Sequence, residues 1–383
     1  MIPYGRQHIT QADIDAVTEV LQSDFLTQGP TVPAFEKRLA EFTGAQHAIA
    51  VNSATSALHI ACLALGVGIG SKVWTSPISF VASANCARYC GADIHFVDID
   101  ENTGNMAIDK LRKKLEHARH HDTLPNVIIP VHLSGASCDM AQIRFLASEF
   151  GFSIIEDASH AIGARYQDET VGNCRYSDIT VFSFHPVKII TTAEGGMAMT
   201  NNAALADKMR LLRSHGISRD NKLMTEPSHG DWYYQQLQLG FNYRMTDIQA
   251  ALGLSQSMRL VQMVQKRQLL AANYHQLLAH LPLRLPALDD ENLSSWHLFI
   301  IRLNDKSKRK LVFDALRAAG IGVNVHYIPI HTQPYYQQLG FDWGDFPAAE
   351  DFYERIISLP MFPELSSEQQ QYVADILQQA LLT

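Results

Sequence analysis

A single lysine stands in a stretch of apolar, hydroxylic and small residues, VFSFHPVKIITTAEGG (181–196). The residues on both sides of Lys188 are typical of a mostly buried segment. Burial lowers the pKa of a lysine, and the neutral amine is a nucleophile towards carbonyl carbons. A solvated lysine on a loop is the common alternative. The pattern therefore predicts either an exposed charge or an amine held for covalent chemistry with an aldehyde or ketone.

Small and hydroxylic residues follow the short apolar strand predicted at AIAV (48–51). Ala54, Thr55 and Ser56 would open the next helix, with free amides and two hydroxyl groups at its first turn. In open parallel sheets, ligands bind beyond the carboxyl ends of the strands. A helix N-terminus at this place can hold an anion such as a phosphate. A simple N-cap is the alternative.

Three other side chains follow predicted strands. Asp157 ends the apolar run SIIED and, if buried, needs a cationic partner, which is either His160 or the protonated ring nitrogen of a cofactor. Phe80 either stacks on a flat ligand or packs in the core. Ser183 places a hydroxyl group at the strand end before Lys188. An anion cradle, a stacking ring, a carboxylate for a ring nitrogen and an amine for an aldehyde together specify pyridoxal 5′-phosphate (PLP).

Strands alternate with helices over the first half of the chain. Strands are predicted at 48–51, 72–77, 93–100, 126–133, 153–159, 178–184 and 196–201, and helices at 13–23, 33–44, 55–66, 79–91, 109–118 and 139–151. This alternation predicts an α/β fold whose mostly parallel sheet is covered by helices on both faces.

The pattern changes after about residue 201. We predict a helix at 204–216, a loop at 217–240, one long or two consecutive helices at 245–281, a strand at 295–303, a helix at 308–320, a strand at 323–327 and a helix at 366–382. These elements indicate two domains. The large one covers 1–245, and 246–383 forms a linker helix and a smaller C-terminal α/β domain.

Composition excludes several classes of function. The chain has 383 residues, of which 46% are hydrophobic, enough for a sizeable core. The net charge of −8 argues against a general nucleic-acid surface, and no apolar run approaches a membrane span. Five cysteines without a CxxC motif indicate reduced thiols in a cytoplasmic protein. We interpret GVGIG (66–70) as a turn rather than a dinucleotide site, and EHARHHD (116–122) as a solvated helix end rather than a metal site.

A set of motifs in a fixed order resembles the DegT/DnrJ/EryC1/StrS sugar aminotransferases, which are fold-type I PLP enzymes. The motifs are LTQGP and FE within 26–36, NSATSALH (52–59), PISFVASAN (77–85), EDASHAIGA (156–164), SFHPVKIITTAEGG (183–196), GFNYRMTDIQAALGLSQ (240–256) and VHYIPIH (325–331). The resemblance covers nearly the whole chain. It implies a large domain with a mostly parallel seven-stranded sheet and a smaller C-terminal domain.

The resemblance also implies roles for individual residues. Lys188 would be the Schiff-base lysine, and Asp157 would pair with the pyridine nitrogen. The remaining cofactor contacts would be Phe80 on the ring face, Ala54, Thr55, Ser56 and Ser183 at the phosphate, His160 near the phenolic oxygen, and Asn242 reaching over from a second subunit. An obligate homodimer with shared active sites follows from the last of these. His160 stands where many relatives carry Gln, so its hydrogen-bond role is open.

TSPISFVASAN, DASHAIGA and FSFHPVKIITTAEGG are similar to the pseudaminic-acid branch of the family. That branch aminates C4 of a UDP-linked 4-keto-6-deoxy-N-acetylhexose of β-L-arabino configuration, and L-glutamate is the amino donor expected from the family. The implied substrate pocket comprises Tyr4, Asp24, Phe25, Leu26, Thr27, Asn324, Val325, His326 and Tyr327.

Other functions stay open at this point. One is the amination of another nucleotide-linked 3- or 4-keto sugar, and another is a non-catalytic PLP-binding sensor or regulator. Sugar dehydratases of the same family carry His in place of the lysine, whereas position 188 here is Lys.

Overall fold

The computed structural model describes residues 1–287 and 292–382. Its helices are α1 (Gln11–Leu21), α2 (Thr31–Thr43), α3 (Ala54–Ala64), α4 (Ala82–Tyr89), α5 (Ile108–His120), α6 (Met140–Phe150), α7 (Ala203–Arg213), α8 (Asp247–Ser257), α9 (Leu260–Leu278), α10 (Arg309–Ala318), α11 (Pro334–Gln337), α12 (Pro347–Arg355) and α13 (Ser367–Leu382).

The strands are β1 (His47–Val51), β2 (Lys72–Thr75), β3 (Asp93–Phe96), β4 (Val127–Ile129), β5 (Ser153–Asp157), β6 (Arg165–Tyr166), β7 (Glu169–Thr170), β8 (Ile179–Ser183), β9 (Gly196–Thr200), β10 (Ile217–Ser218), β11 (Gln235–Gln236), β12 (Leu283–Arg284), β13 (Asn292–Leu293), β14 (Phe299–Leu303) and β15 (Ile356–Leu359).

Seven strands form the main sheet in the order β1-β9-β8-β5-β4-β2-β3. β9 runs antiparallel to both of its neighbours, and the other pairs are parallel. Every residue of β8 and β9 is buried, as expected for strands covered on both faces. The predicted mostly parallel α/β sheet is confirmed. Its parallel strands carry their carboxyl ends to one edge, where the side chains that follow β5 and β8 meet.

Local sequence signals set several helix ends. Thr10 forms a capping box with Asp13 at the start of α1. Gly44 ends α2 in the left-handed conformation, with φ of 84°. GVGIG forms a turn after α3, as predicted, and Gly66 and Gly70 both have positive φ there. His117 and His121 stack at the end of α5, and the described residues contain no cluster of side chains arranged to hold a metal ion.

The second sheet has the order β12-β14-β15 and is antiparallel. It shares an apolar core with residues of α9, α10 and α13. Ile2 belongs to this core and pairs with Ile321, whereas α8 packs against α1 and α2. The division of the chain at residue 245 stays a prediction. No helix among the described residues is long and apolar enough to cross a membrane.

Three predictions for the second half need correction or detail. The strand predicted at 323–327 is wrong, because only Asn324 pairs there, with Ser358 of β15. The Asn324 side chain accepts from Val325 N at 2.8 Å, and such a local bond competes with a strand ladder. The segment 245–281 forms two helices, α8 and α9. The loop 217–240 contains the two-residue strands β10 and β11.

Candidate active site

A cavity of about 570 Å³ opens where the carboxyl ends of β5 and β8 meet the N-terminus of α3. Most of the side chains singled out in the sequence line it: Tyr4, Ala54, Thr55, Phe80, Asp157, His160, Ser183, Lys188, Asn324, Val325, His326 and Tyr327. They come from the N-terminal segment, from the main sheet with α3, and from the segment 324–327. The fold thus brings together residues that are up to 323 positions apart in the sequence, from Tyr4 to Tyr327.

Lys188 follows β8 and enters the cavity from a turn in which its backbone N–H donates to His185 O at 2.9 Å. Burial lowers the pKa of its amine to about 8, and the Asp157 carboxylate acts in the opposite direction. The ammonium group forms no hydrogen bond or ion pair within the described part of the chain. A sizeable fraction of the amine is therefore neutral near physiological pH and free to react with a carbonyl carbon.

Asp157 is buried at the end of β5, and only hydroxyl and amide groups hold it. Ser83 Oγ donates to one carboxylate oxygen at 2.6 Å, and Ser159 donates to the other through Oγ at 2.5 Å and through its backbone N–H at 3.2 Å. No cationic side chain among residues 1–287 and 292–382 hydrogen-bonds it. Since a buried carboxylate needs a cation, the site fits a ligand with a protonated ring nitrogen.

His160 does not pair with Asp157, which removes the simpler of the two interpretations of that carboxylate. Its Nδ1 accepts from Ser134 N at 3.3 Å, and its Nε2 lies 3.0 Å from the hydroxyl group of Tyr327. Burial, followed by the charge of Lys188, lowers its pKa well below the ordinary value. His160 is therefore a neutral link between the large sheet and Tyr327 of the second half of the chain.

The first turn of α3 lies at the cavity, where the sequence predicts an anion cradle. Ser53, rather than the residues after it, is the N-cap, and its hydroxyl group accepts from Ser56 N at 3.1 Å. The Ser56 hydroxyl group donates to Asn52 at 2.7 Å and does not line the cavity, so its side chain holds the turn. The amides of Ala54 and Thr55 and the hydroxyl group of Ser183 remain at the cavity wall, where a phosphate would fit.

Phe80 does not pack in the core, since 59% of its surface is exposed. Its ring lines the cavity and lies 6.3 Å from the ring of Tyr327. An exposed aromatic face beside a carboxylate and an amine suits a flat cofactor ring.

The opposite wall comes from the segment 324–327. His326 Nδ1 lies 2.8 Å from Ser358 Oγ, and burial together with Lys188 lowers the pKa of His326 to about 4. Burial raises the pKa of Tyr327. This wall is therefore polar but uncharged, and it offers hydrogen bonds to a neutral ligand such as a sugar.

Besides Ser56, five residues predicted for the site do not line this cavity within one chain. They are Asn242 and the segment formed by Asp24, Phe25, Leu26 and Thr27, all of them exposed. Thr27 pairs with Thr246, and Asn242 pairs with Ser214. Their assignment to the site stays a prediction that depends on a second subunit.

The structure also adds residues that the sequence did not indicate. Ser83 and Ser159 support Asp157, and Ser53 caps the cradle. The DAS and SFVAS motifs contain Ser159 and Ser83, but only the fold shows which atoms these serines contact. His297 lines the cavity from the segment before β14, and its sequence surroundings give no sign of this.

Comparison with known proteins agrees with this geometry. Residues 7–378 match the family model described as the DegT/DnrJ/EryC1/StrS aminotransferase family. The spore coat polysaccharide biosynthesis protein SpsC of Bacillus subtilis is 41% identical over 375 residues, which are 96% of this chain and 94% of that protein. The UDP-4-amino-4,6-dideoxy-N-acetyl-beta-L-altrosamine transaminase of Campylobacter jejuni is 37% identical over 382 residues, 98% of this chain and 96% of that one.

Among solved structures, Helicobacter pylori PseC, an aminotransferase involved in the biosynthesis of pseudoaminic acid, matches with a TM-score of 0.91 and 34% identity. The match covers 100% of this chain and 99% of PseC. The chain belongs to the DegT/DnrJ/EryC1/StrS aminotransferase family and is a sugar aminotransferase that uses PLP.

Proposed function

We propose that the enzyme transfers the amino group of L-glutamate to C4 of UDP-2-acetamido-2,6-dideoxy-β-L-arabino-hex-4-ulose, a step in pseudaminic acid biosynthesis. The observation that carries this proposal is the likeness, over nearly the full length of each chain, to the Campylobacter transaminase and to PseC. The uncharged wall at 324–327 supports it, since a sugar ring presents hydroxyl and carbonyl groups rather than charges.

The residues fit PLP in the following way. The amides of Ala54 and Thr55 would hold its phosphate, Phe80 would cover its ring, and Asp157 would keep its ring nitrogen protonated. When bound, PLP supplies an electron sink that allows an amino group to leave one carbon atom and join another. Asp157 suits the task of keeping the ring nitrogen protonated, because its charge is buried and lacks a cationic partner in the described chain.

Lys188 moves the proton in each half of the reaction. Its amine, with a pKa lowered to about 8, takes the proton from Cα of the amino donor and later delivers a proton to C4 of the sugar. A pKa close to the operating pH suits a residue that must act as base and then as acid. His160 and His326, whose pKa values are lowered, stay neutral beside Lys188.

We also propose a homodimer in which Asn242 and the segment 24–27 of one subunit complete the cavity of the other. These residues are exposed and lie outside the cavity of their own chain, as such an exchange requires. A cytoplasmic enzyme agrees with the five cysteines, which are free thiols in the structure.

A second candidate substrate is another nucleotide-linked 3- or 4-keto sugar. The 41% identity to SpsC, a protein of spore coat polysaccharide synthesis, favours it. Both candidates share the cofactor chemistry and differ in the sugar that the wall at 324–327 accepts.

A panel assay separates these candidates. The PLP-loaded enzyme is incubated with L-glutamate and with a set of UDP-, dTDP- and GDP-linked 3-keto and 4-keto sugars, and the products are identified by mass spectrometry. We expect amination of the UDP-linked 4-keto sugar of β-L-arabino configuration. Turnover of 3-keto sugars alone would overturn the proposal. An absence of the glutamate-dependent change in cofactor absorbance would instead indicate a binding protein rather than an enzyme.

A further inference from the structure

His297 is a polar side chain of the cavity with no assigned task. It precedes β14, is 4% exposed, and lines the cavity. Its Nδ1 is sealed from solvent and has no hydrogen-bond partner among the described residues. Its Nε2 forms no hydrogen bond with those residues either, but it is not sealed. A buried imidazole with no partner is costly unless a ligand supplies one.

The backbone around His297 is held by a buried arginine. Arg267 is buried and uses Nη1 to donate to the carbonyl oxygens of Trp296 at 3.0 Å, His297 at 3.2 Å and Met361 at 3.1 Å. Burial lowers the pKa of this guanidinium to about 10, and no carboxylate pairs with it among the described residues. Burying a cation without a counter-ion is costly. The hydrogen bonds of this buried guanidinium fix the backbone that carries His297.

A second tie fixes this segment to the large sheet. Ser295 Oγ donates to the carbonyl oxygen of His160 at 2.9 Å, and the ring of His297 lies 4.5 Å from the ring of His160. The imidazole of His297 is thus held beside the residue that contacts Tyr327, on the Lys188 side of the cavity. Both ties hold its position without using either ring nitrogen.

His297 is neutral in this setting. Its pKa lies well below the ordinary value. Burial is the largest cause, and the charge of Lys188 is the second. A neutral imidazole carries one N–H and one lone pair. Because Nδ1 is sealed and without a partner, the tautomer with hydrogen on Nε2 turns the donor towards the cavity.

We propose that His297 is a ligand-contacting residue of the Lys188 centre, and that its Nε2–H donates a hydrogen bond to a ligand oxygen that carries or develops negative charge. Two oxygens have this chemistry, the phenolic oxygen of the cofactor and the carbonyl oxygen of the amino acceptor. A neutral donor next to an amine stabilises such an oxygen without taking a proton from the ligand. The inference depends on the PLP chemistry of the family and not on the identity of the sugar.

The test compares variants of His297 in the PLP-loaded protein. H297L removes the donor at similar side-chain size, H297Q keeps an N–H group near the Nε2 position, and H297N places one near Nδ1 instead. His275 gives a matched control, since it contacts the ring of Trp296 next to His297 in the chain, has an unpartnered Nε2 and does not line the cavity. Melting temperature and bound cofactor per chain are measured for every variant, and H297N replaces H297L if the latter does not fold.

Two readouts distinguish the two oxygens, and neither uses a sugar. The first is the pH titration of cofactor absorbance without substrate. Loss of a hydrogen bond to the phenolic oxygen raises that oxygen's proton affinity, so the apparent pKa should rise by about one unit in H297L. The second is the single-turnover rate of the pyridoxamine-phosphate-loaded protein with 2-oxoglutarate. It should fall about 10- to 100-fold if the contact is to the acceptor carbonyl.

For either oxygen, H297Q should behave nearly as the wild type in the affected readout, because it keeps the N–H donor. H275L should match the wild type in both readouts. H297L behaving as wild type in both readouts would overturn the inference. H297Q failing as badly as H297L would also overturn it, because that outcome indicates a packing role. A wrong sugar assignment affects neither readout, so the two failures are distinguishable.

Discussion

Lys188 combines a lowered pKa with a position against the cavity that holds the other candidate residues. Replacing it with alanine should abolish the absorbance of covalently attached cofactor and lower turnover by about 10²- to 10⁴-fold, since the amine that moves the proton is lost. Absorbance spectra and steady-state rates measure both effects. Lys37, exposed on α2, provides the control: Lys37→Ala should retain both properties. Full turnover in Lys188→Ala would refute the assigned role.

The lowered pKa of Lys188 also has a consequence for stability. Its value of about 8 in the folded chain lies below the ordinary 10.5, so between these values the unfolded chain binds more protons and stability rises with pH. In the PLP-free protein, Lys188→Met removes a penalty that is fully present below about pH 8. It should raise the free energy of unfolding by roughly 3 kcal/mol at about pH 7, and the gain should vanish towards pH 10.5. Urea unfolding at several pH values measures it, and a gain independent of pH would contradict it.

The sequence predicted which residues belong to the site, from residue type and from position after a strand. It could not predict which atoms those residues contact. The sequence indicated that Asp157 would be buried and offered His160 as a partner three residues away. The structure instead uses Ser83, 74 positions earlier in the chain. Which hydroxyl group reaches a carboxylate depends on the packing of α4 against the sheet, which no local pattern contains.

At the scale of elements, the N-terminus of α3 approaches the start of β9 very closely. A Cβ atom on Gly196 would lie 2.5 Å from the backbone nitrogen of Ala54, which leaves no room for a side chain. Gly196→Ala should therefore displace the first turn of α3. It should weaken cofactor binding by at least about 10-fold, because the displaced amides no longer donate hydrogen bonds to the phosphate. Equilibrium titration with PLP measures the affinity.

Gly68 is the matched control for that substitution. It lies in the turn after α3, and nothing is within 4 Å of the position of its Cβ atom. Gly68→Ala should leave the affinity for PLP unchanged. If Gly196→Ala bound PLP as tightly as Gly68→Ala, the first turn of α3 would not be the phosphate site.

Helices and strands with strong local periodicity were predictable, whereas pairing between distant segments was not. The seven strands of the main sheet were predicted in place because each is an apolar run bounded by turn residues. The segment 323–327 has the same appearance, yet the Asn324 side chain accepts from the backbone N–H of Val325, and only Asn324 pairs with β15, whose main partner is β14. The break between α8 and α9 likewise interrupts a continuous apolar periodicity and carries no glycine or proline signal.

At the scale of the whole molecule, the cavity is lined by residues from the ends of β5 and β8 and from α3, and also by His297 and 324–327 from the second half of the chain. The sequence predicted most of the lining residues but not how closely the two parts of the chain meet at the cavity. Hydrogen bonds from His160 to Tyr327 and from Ser295 to the His160 carbonyl oxygen connect them.

The proposed exchange of residues between subunits gives a prediction for the complete assembly. Asn242 is exposed and absent from the cavity of its own chain, so in a homodimer it would serve the partner's Lys188 centre. Lys188→Ala and Asn242→Ala should each be impaired as pure dimers. In a mixed dimer, one site carries both changes and the other carries neither. Equal mixing with free re-association should therefore restore about a quarter of wild-type activity.

Activity is measured after the two variants are unfolded together and refolded in the presence of PLP, with each variant refolded alone as a control. The recovered activity should grow with the fraction of mixed dimers, which differently tagged chains make measurable by sequential affinity purification. If purified mixed dimers had only the mean activity of the two parents, Asn242 would act within its own chain or not at all. In that case the exposed segment 24–27 would also lose its proposed role, because both assignments require the same second subunit.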